Sequence, residues 1–434
     1  MSLDPNPPES GALSPRTLGL IAIGLALGFA VALPLLRPVL PVDETRYLSV
    51  AWEMQRDGSF VVPHLNGQIY SHKPPLLFWL INLVWSLTGV SEVAARLVAP
   101  AFGILSVALT WRLGARLFPD RPGLGPTAAL ILATTGIFAL YGSLTMFDTM
   151  LTAATLLGVL ALLRMDAGGG WPATLALGAV LAFGVLAKGP VILVHLMPLA
   201  LTRPFWSLSP QPGRVAAWYG RVALAVAAAL VFLAAWLVPA LWLGGAEYRE
   251  EILWRQSAGR MVNAFDHARP VWFFVAALPF LLWPWAWRPA ALRGLVAGGL
   301  WNDRRARLLA IWGGSTVVLF SLISGKQIHY LLPEFPAVAL LFARAFGEER
   351  LAGRVRHFAP ILLILLGIGL LAAAAGIIAP SGDMALLLPR IAVVAVASFQ
   401  LENYIATRQS TLGRTAADVL ASGGRPALAR WLRT

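Results

Sequence analysis

Leu76–Thr88 reads LLFWLINLVWSLT, and whether this stretch crosses a bilayer decides the fold of the chain around it. At about 13 residues it is short of the ~17 that a spanning helix needs. If it crossed, the alternation of arginine-rich and arginine-poor connections would invert, and Arg112, Arg116 and Arg121 would land outside. It is therefore expected to form an interfacial or re-entrant helix, with Trp79 and Trp85 at headgroup depth.

The argument around that stretch rests on composition. The chain has 434 residues, 58% of them hydrophobic and only 13% charged, with a mean hydropathy of +0.71. That is too much apolar surface for one soluble core, and it comes in blocks of the ~20 residues that cross hydrocarbon. Candidate spans are 17–36, 94–117, 124–141, 149–165, 171–187, 190–205, 221–243, 271–287, 308–324, 331–346, 358–379 and 385–401. The expected fold is an all-α polytopic membrane protein of about twelve transmembrane helices, 17–401. A short disordered tail, 1–16, precedes it and a basic tail, 402–434, follows.

The net charge is +13, but the basic residues sit in short loops between apolar blocks. They do not form the aromatic-interleaved patch of a nucleic-acid binder. Arginines collect in alternate connections: 112–121, Arg164, 203–214, 288–307, 350–356 and 408–433. The positive-inside rule makes all of these cytoplasmic. The first outer loop then runs from 37 to 93, and a second long one from 244 to 270. Trp283, Trp285 and Trp287 read as a belt at a membrane interface. With no cysteine in the chain, thiol chemistry and disulfides are excluded.

The unusual polar residues gather on the outer side. Pro41–Pro75, PVDETRYLSVAWEMQRDGSFVVPHLNGQIYSHKPP, contributes Asp43, Glu44, Arg46, His64, His72 and Lys73. Adjacent Asp43 and Glu44 cannot point the same way. One can act as a base while the other caps, pairs with Arg46 or binds a metal; an ordinary solvated pair is the plainer alternative. A carboxylate beside apolar lipid and a second acid would have its pKa raised, which suits a general base. Asp148 either caps a helix before Thr149 or serves as a site carboxylate, since an ionisable group near hydrocarbon is costly. Lys188 is either a snorkelling lysine or a functional cation.

All but three of the 34 basic residues are arginine, and the exceptions, Lys73, Lys188 and Lys326, all fall on the outer side. Lys73, Arg260 and Lys326, with His329 and Tyr330 as donors, would make an anion site at the membrane surface, suited to a phosphate. His64 and His72 read as loop histidines before metal ligands. Whether a divalent metal takes part is open, because hard cations need several oxygens. No Walker loop, dinucleotide fingerprint or H-E-x-x-H motif is present, so nucleotide hydrolysis, dinucleotide redox chemistry and zincin proteolysis lack support.

Asp43-Glu44-Thr45-Arg46-Tyr47 and the run Gly58 to Leu80 resemble the bacterial GT-C glycosyltransferases of the ArnT-like, protein-mannosyltransferase-related group. Ala95-Arg96-Leu97, Phe147-Asp148, Ala187-Lys188-Gly189-Pro190, the Trp254–Trp287 region with Arg260 and His267, and Ser324-Gly325-Lys326 through Pro333 are further matches. The resemblance implies sugar transfer from a polyprenyl-phosphate carrier to a lipid, glycan or protein acceptor, with inversion, on the periplasmic face of the inner membrane. It makes Asp43 the base, helped by Asp148. Arg46, Lys73, Lys188, Arg260, Lys326 and Tyr330 would hold the donor phosphate. In the aminoarabinose-transferase branch an acid commonly precedes Lys-Pro-Pro; here His72 does. The chain ends soon after its last span, so the larger C-terminal periplasmic domain of some members is expected to be missing. Acceptor recognition would then rest on the outer loops or on a partner. A transporter or lipid flippase is the competing class, distinguished by inverted repeats and broken mid-membrane helices. A binding or assembly subunit that has lost activity is the third.

Overall fold

The computed structural model describes residues 13–40, 42–209, 215–252, 269–287, 295 and 299–346. The expected spans 358–379 and 385–401, the tail 402–434, residues 1–12 of the N-terminal tail, most of the 244–270 loop, and Arg260 and His267 lie outside the described residues. Among the described residues five segments are long and apolar enough to cross a membrane: Pro15–Leu36, Glu92–Leu117, Asp148–Asp166, Gly170–Leu201 and Val215–Leu243. The chain is mostly helical and multi-pass in character.

The first helix, α1 (Pro15–Leu36), starts two residues inside the tail expected to be disordered. Ser14 caps it, accepting from the Thr17 N–H at 3.1 Å, and Pro15 sits where a missing N–H costs nothing. Helix α2 (Asp43–Asp57) follows, with two acids in its first turn, where the macrodipole favours them. Gly58, at φ +66, ends it.

The all-helical expectation fails locally. His64–Leu65 and Gln68–Ile69 form an antiparallel hairpin. Asn66 and Gly67 have φ of +54 and +74, as a two-residue turn of this hand requires. The buried Glu53 carboxylate accepts both turn N–H groups, at 2.5 and 3.0 Å, which ties the hairpin to α2.

Helix α3 spans Leu76–Thr88, the bounds expected from sequence. It packs on α2 and on α4 (Glu92–Leu117). Buried Asn82 donates to the Ala51 carbonyl of α2 at 3.1 Å. Trp85 departs from the expectation: it is 5% exposed and donates to the Ser91 carbonyl, so it belongs to the core.

The span expected over 124–141 is broken into α5 (Leu124–Ala133) and α6 (Gly136–Tyr141). At the break, the Thr134 and Thr135 hydroxyls donate back to the Leu130 and Ile131 carbonyls. The Trp285 indole reaches Thr134 Oγ1 at 3.2 Å. Trp285 is therefore buried at this break and is not part of an interfacial belt.

Helix α7 (Asp148–Asp166) is almost wholly buried, and α8 (Gly170–Lys188) runs back along it. Gly189, at φ +78, turns the chain again into α9 (Ile192–Leu201). Ile192 lies so close to Gly184 that a Cβ there would meet it at 2.5 Å, which shows that α9 folds back on α8. A short helix α10 (Arg203–Trp206) then brings Arg203 Nε to Asp166 Oδ1 at 2.8 Å. Asp166 also accepts from Ser207, Leu208 and Ser209, so its buried charge is fully bonded. Asp148 and Lys188 mark one end of this packet, and Asp166 and Arg203 the other. Helix α11 (Val215–Leu243) spans both ends: Trp218 donates to the Ala200 carbonyl and Trp236 to Val61 of the first loop. The arginine-rich connections agree with this alternation, since Arg116 reaches the Leu163 carbonyl, Arg304 the Ser207 carbonyl and Arg305 Asp120.

Candidate active site

The end marked by Asp148 and Lys188 collects most of the residues singled out from sequence. Asp43 opens α2 with its side chain 47% exposed. Its carboxylate faces Arg46 Nη1 at 3.7 Å and accepts from the Tyr47 hydroxyl at 3.1 Å. Tyr47 is buried; burial first, and then the charge of Asp43, pushes its phenol up, so it stays a hydrogen-bond donor to that carboxylate. The i,i+4 spacing of Asp43 and Tyr47 on a helix was the available signal for this contact, and sequence reasoning did not use it.

Glu44 departs from the expectation of a second chemical carboxylate. It is 2% exposed and pairs with Arg37 through both oxygens, one contact being 2.8 Å. It also accepts from the Leu40 N–H at 3.0 Å and the Thr145 N–H at 2.7 Å. Burial alone would raise this carboxyl, but the Arg37 pair and the two N–H groups outweigh it and hold it below the usual carboxylate range. A low, fully bonded carboxylate is a poor base. Glu44 instead ties the first turn of α2 to the loop that delivers Phe147 and Asp148. Arg37 extends the knot by donating to the Ser143 carbonyl, and Arg96 closes it on the Arg37 carbonyl.

Asp148 does not cap α7. Its carboxylate, which is buried, meets the partly buried Lys188 ammonium at 2.5 Å. The Lys188 ammonium also lies 5.2 Å from the centre of the Tyr330 ring. Lys73 approaches from the first loop and stands 5.9 Å over the Phe147 ring. His329 lies within electrostatic range of Asp43, Lys73, Asp148 and Lys188 together, and burial lowers its pKa to about 4, leaving it neutral. It packs on Tyr141 and Tyr330, with ring centres 5.2 and 5.1 Å away. Tyr47, Tyr70, Phe78 and Phe147 form an aromatic floor, and Tyr70 also meets His72.

Lys326 departs from the expected phosphate contact. It is 3% exposed and donates to the Arg269 carbonyl at 2.9 Å and to the Ile323 carbonyl, closing the end of the helix Arg304–Leu322. Among the described residues no group of three or more His, Asp or Glu is placed to hold a metal ion. The Asp43–Glu44 pair does not fit one either, because Glu44 is committed to Arg37. The site thus joins a half-exposed carboxylate, backed by a phenol, to cations drawn from three elements at one end of the apolar segments. That arrangement can take a proton from a hydroxyl and offset negative charge on a leaving group.

Residues 72–242 match the family model for dolichyl-phosphate-mannose-protein mannosyltransferases. An undecaprenyl phosphate-alpha-4-amino-4-deoxy-L-arabinose arabinosyl transferase of Pseudomonas aeruginosa is 32% identical over 372 residues, 83% of this chain and 65% of the relative. The enzyme of the same description from Edwardsiella ictaluri is 30% identical over 383 residues, with the same shares. The chain spans 65% of the length of these curated relatives. The crystal structure of ArnT from Cupriavidus metallidurans bound to undecaprenyl phosphate superposes with a TM-score of 0.67 at 22% identity. That superposition covers 94% of this chain and 73% of the other, a likeness of fold. The chain is thus similar in sequence to the dolichyl-phosphate-mannose-protein mannosyltransferase family over residues 72–242 and to the arabinosyl transferases over 83% of its length, and it is similar in fold to ArnT.

Proposed function

We propose that the protein is an inverting glycosyltransferase of the bacterial inner membrane. It moves a sugar from a polyprenyl-phosphate donor to a lipid, glycan or protein acceptor at the periplasmic face. The observation that carries this reading is the half-exposed Asp43 at the same end of the apolar segments as Lys73, Lys188 and Tyr330, with His329 within electrostatic range of Asp43, Lys73 and Lys188. The matched relatives, whose names specify an undecaprenyl-phosphate-linked sugar, support the donor class.

The chemistry follows from the groups present. Asp43 takes the proton of the acceptor hydroxyl, while Tyr47 steadies its other charge density through the 3.1 Å hydrogen bond. The acceptor oxygen forms a bond to the anomeric carbon from the face opposite the phosphate. The bond from that carbon to the phosphate oxygen breaks, and its electron pair leaves with the polyprenyl phosphate. Attack from the opposite face inverts the centre. Arg46 and Lys73, with Arg260 from outside the described residues, neutralise the leaving phosphate. Lys188 is already paired, so its part is to hold Asp148 and present Tyr330. Glu44 and Lys326 are left out of the chemical step, and no step is routed through a metal.

The test is transfer by the purified full chain with an undecaprenyl-phosphate sugar as donor. Donor sugar and acceptor come first from mass spectrometry of envelope glycolipids and glycans in a deletion strain. Asp43→Asn should lower turnover by about 100- to 10,000-fold, the usual worth of a general base, while donor binding stays intact. Full turnover in Asp43→Asn removes Asp43 from the base role. Lipid movement without any new glycosidic bond would instead favour a flippase.

A further inference from the structure

One buried ionisable pair takes no part in the chemistry above. His195 lies on α9, and Glu334 is the last residue of a 3-10 segment, Ile328–Glu334. His195 Nδ1 and Glu334 Oε1 are 2.6 Å apart, with side chains 0% and 3% exposed. Neither His195 Nε2 nor Glu334 Oε2 has a hydrogen-bond partner among the described residues. Apart from the buried Thr316, whose hydroxyl also bonds the Glu334 carboxyl, the surroundings are apolar: Leu196, Leu331, Leu332 and Phe320 are buried, and the Phe320 ring centre is 5.6 Å from that of His195.

The two elements joined by this bond are the ones that meet in the site. The 3-10 segment carries His329 and Tyr330. Helix α9 begins after the Gly189 turn that follows Lys188. The segment packs chiefly on α7, which carries Asp148, so the placing of His329 near Asp148 depends on how it sits there, and the Lys188–Tyr330 contact on how it sits beside the end of α8. A 3-10 segment has weaker internal hydrogen-bond geometry than an α-helix, and Pro333 removes one donor from this one. Apolar contacts around it supply burial but no direction. A buried ion pair contributes little to stability over apolar packing of the same volume, yet a hydrogen bond fixes direction and register.

We propose that Glu334 and His195 are positioning residues: their bond pins the 3-10 segment to α9 and so holds Tyr330 and His329 against Lys188 and Asp148 in the donor-phosphate region. The link to turnover rests on the glycosyltransferase reading, whereas the pinning of the segment does not. The two can therefore fail separately.

The experiment compares the full-length protein in detergent micelles with Glu334→Gln, Glu334→Leu and the double variant His195→Leu/Glu334→Leu. Hydrogen exchange of 327–334 is read by mass spectrometry, and transfer kinetics are read with an undecaprenyl-phosphate sugar. In Glu334→Leu, exchange in 327–334 should speed by about tenfold while α4 and α7 stay protected. kcat should fall about tenfold and the donor KM should change less than about twofold, the pattern of lost alignment. Glu334→Gln still bonds to the imidazole and should keep both near wild type. The double variant removes both buried ionisable groups, so its thermal midpoint should recover relative to Glu334→Leu, but its kcat should not. Wild-type kcat in the double variant, or faster exchange across the whole chain in Glu334→Leu, overturns the positioning role. If the wild-type chain transfers no sugar from this donor, the glycosyltransferase reading fails, and the exchange data alone decide the pinning.

Discussion

Asp148 and Lys188 bring two opposite charges to 2.5 Å of each other with side chains only 2% and 12% exposed. Removing one partner of a buried pair leaves the other uncompensated and costs about 3–5 kcal/mol, whereas replacing both is far milder. Lys188→Met should therefore lower the stability of the detergent-solubilised protein by about 3 kcal/mol or more, and Asp148→Asn/Lys188→Met by clearly less. Unfolding midpoints of the two singles and the double check this, and simple addition of the single effects would mean the pair is not coupled. Glu44 adds a pH dependence. Its pKa is lowered from 4.5 in the folded chain, so the unfolded state binds its proton first as pH falls. Its contribution is fully present above about pH 4.5 and is lost as pH drops through the lower folded value. Glu44→Gln should cost about 1.5–3 kcal/mol near neutrality through its charge-assisted bonds. It should also flatten the acid side of a midpoint-against-pH curve from 7 to 3. An unchanged acid slope would remove Glu44 as its source.

At the scale of elements, the crossing of α4 and α5 sets how closely the first spans approach. A Cβ on Gly114 would stand 2.4 Å from the Gly125 Cα, and one on Gly125 would stand 2.6 Å from the Trp111 carbonyl oxygen. Both neighbours are backbone, so the helices themselves would have to separate. Gly125→Ala should destabilise by about 1–3 kcal/mol. Gly24→Ala, in α1 with open space around it, should be neutral or stabilising by up to about 1 kcal/mol. Thermal midpoints of the two variants test the contrast. The spans near 17–36, 94–117, 149–165 and 221–243 and the bounds of α3 were legible in sequence because hydropathy and length report whether a segment fits a bilayer. The breaks were harder: Gly189 was visible in Lys-Gly-Pro, but the Thr134–Thr135 break is held by side-chain hydroxyls and by a tryptophan 151 positions later. The hairpin carried a readable Asn66-Gly67 signal that the all-helical expectation overrode. The residues gathered at the Asp148–Lys188 end were legible as types, and their partners were not. Asp148 and Lys188 are 40 positions apart and meet only because the chain reverses after Asp166. Glu44 pairs with Arg37 across a turn, where sequence reasoning looked toward Arg46.

For the whole molecule, the sidedness of the site reduces to the number of crossings between two surface points. Gln68 is exposed in the first-loop hairpin, and Arg121 is exposed beyond the other end of α4. Between them lie α3, about 20 Å long at 1.5 Å per residue, and α4, about 39 Å long. A hydrocarbon core is about 30 Å thick, so α4 is long enough to cross it and α3 falls short. One crossing puts Gln68 and Arg121 on opposite sides; two would put them on the same side. The absence of cysteine from the chain makes this a clean measurement. Gln68→Cys should react with a membrane-impermeant maleimide in intact spheroplasts, and Arg121→Cys only after the membrane is opened. Labelling of both from the outside would make Leu76–Thr88 a true span and invert the arginine-rich connections. Labelling of Arg121→Cys alone would turn the whole protein over, placing Asp43, Lys73 and Lys188 on the cytoplasmic side. The expected pattern puts the Asp43 carboxylate on the periplasmic side, where a polyprenyl-phosphate sugar and its acceptor must meet under the proposed reaction.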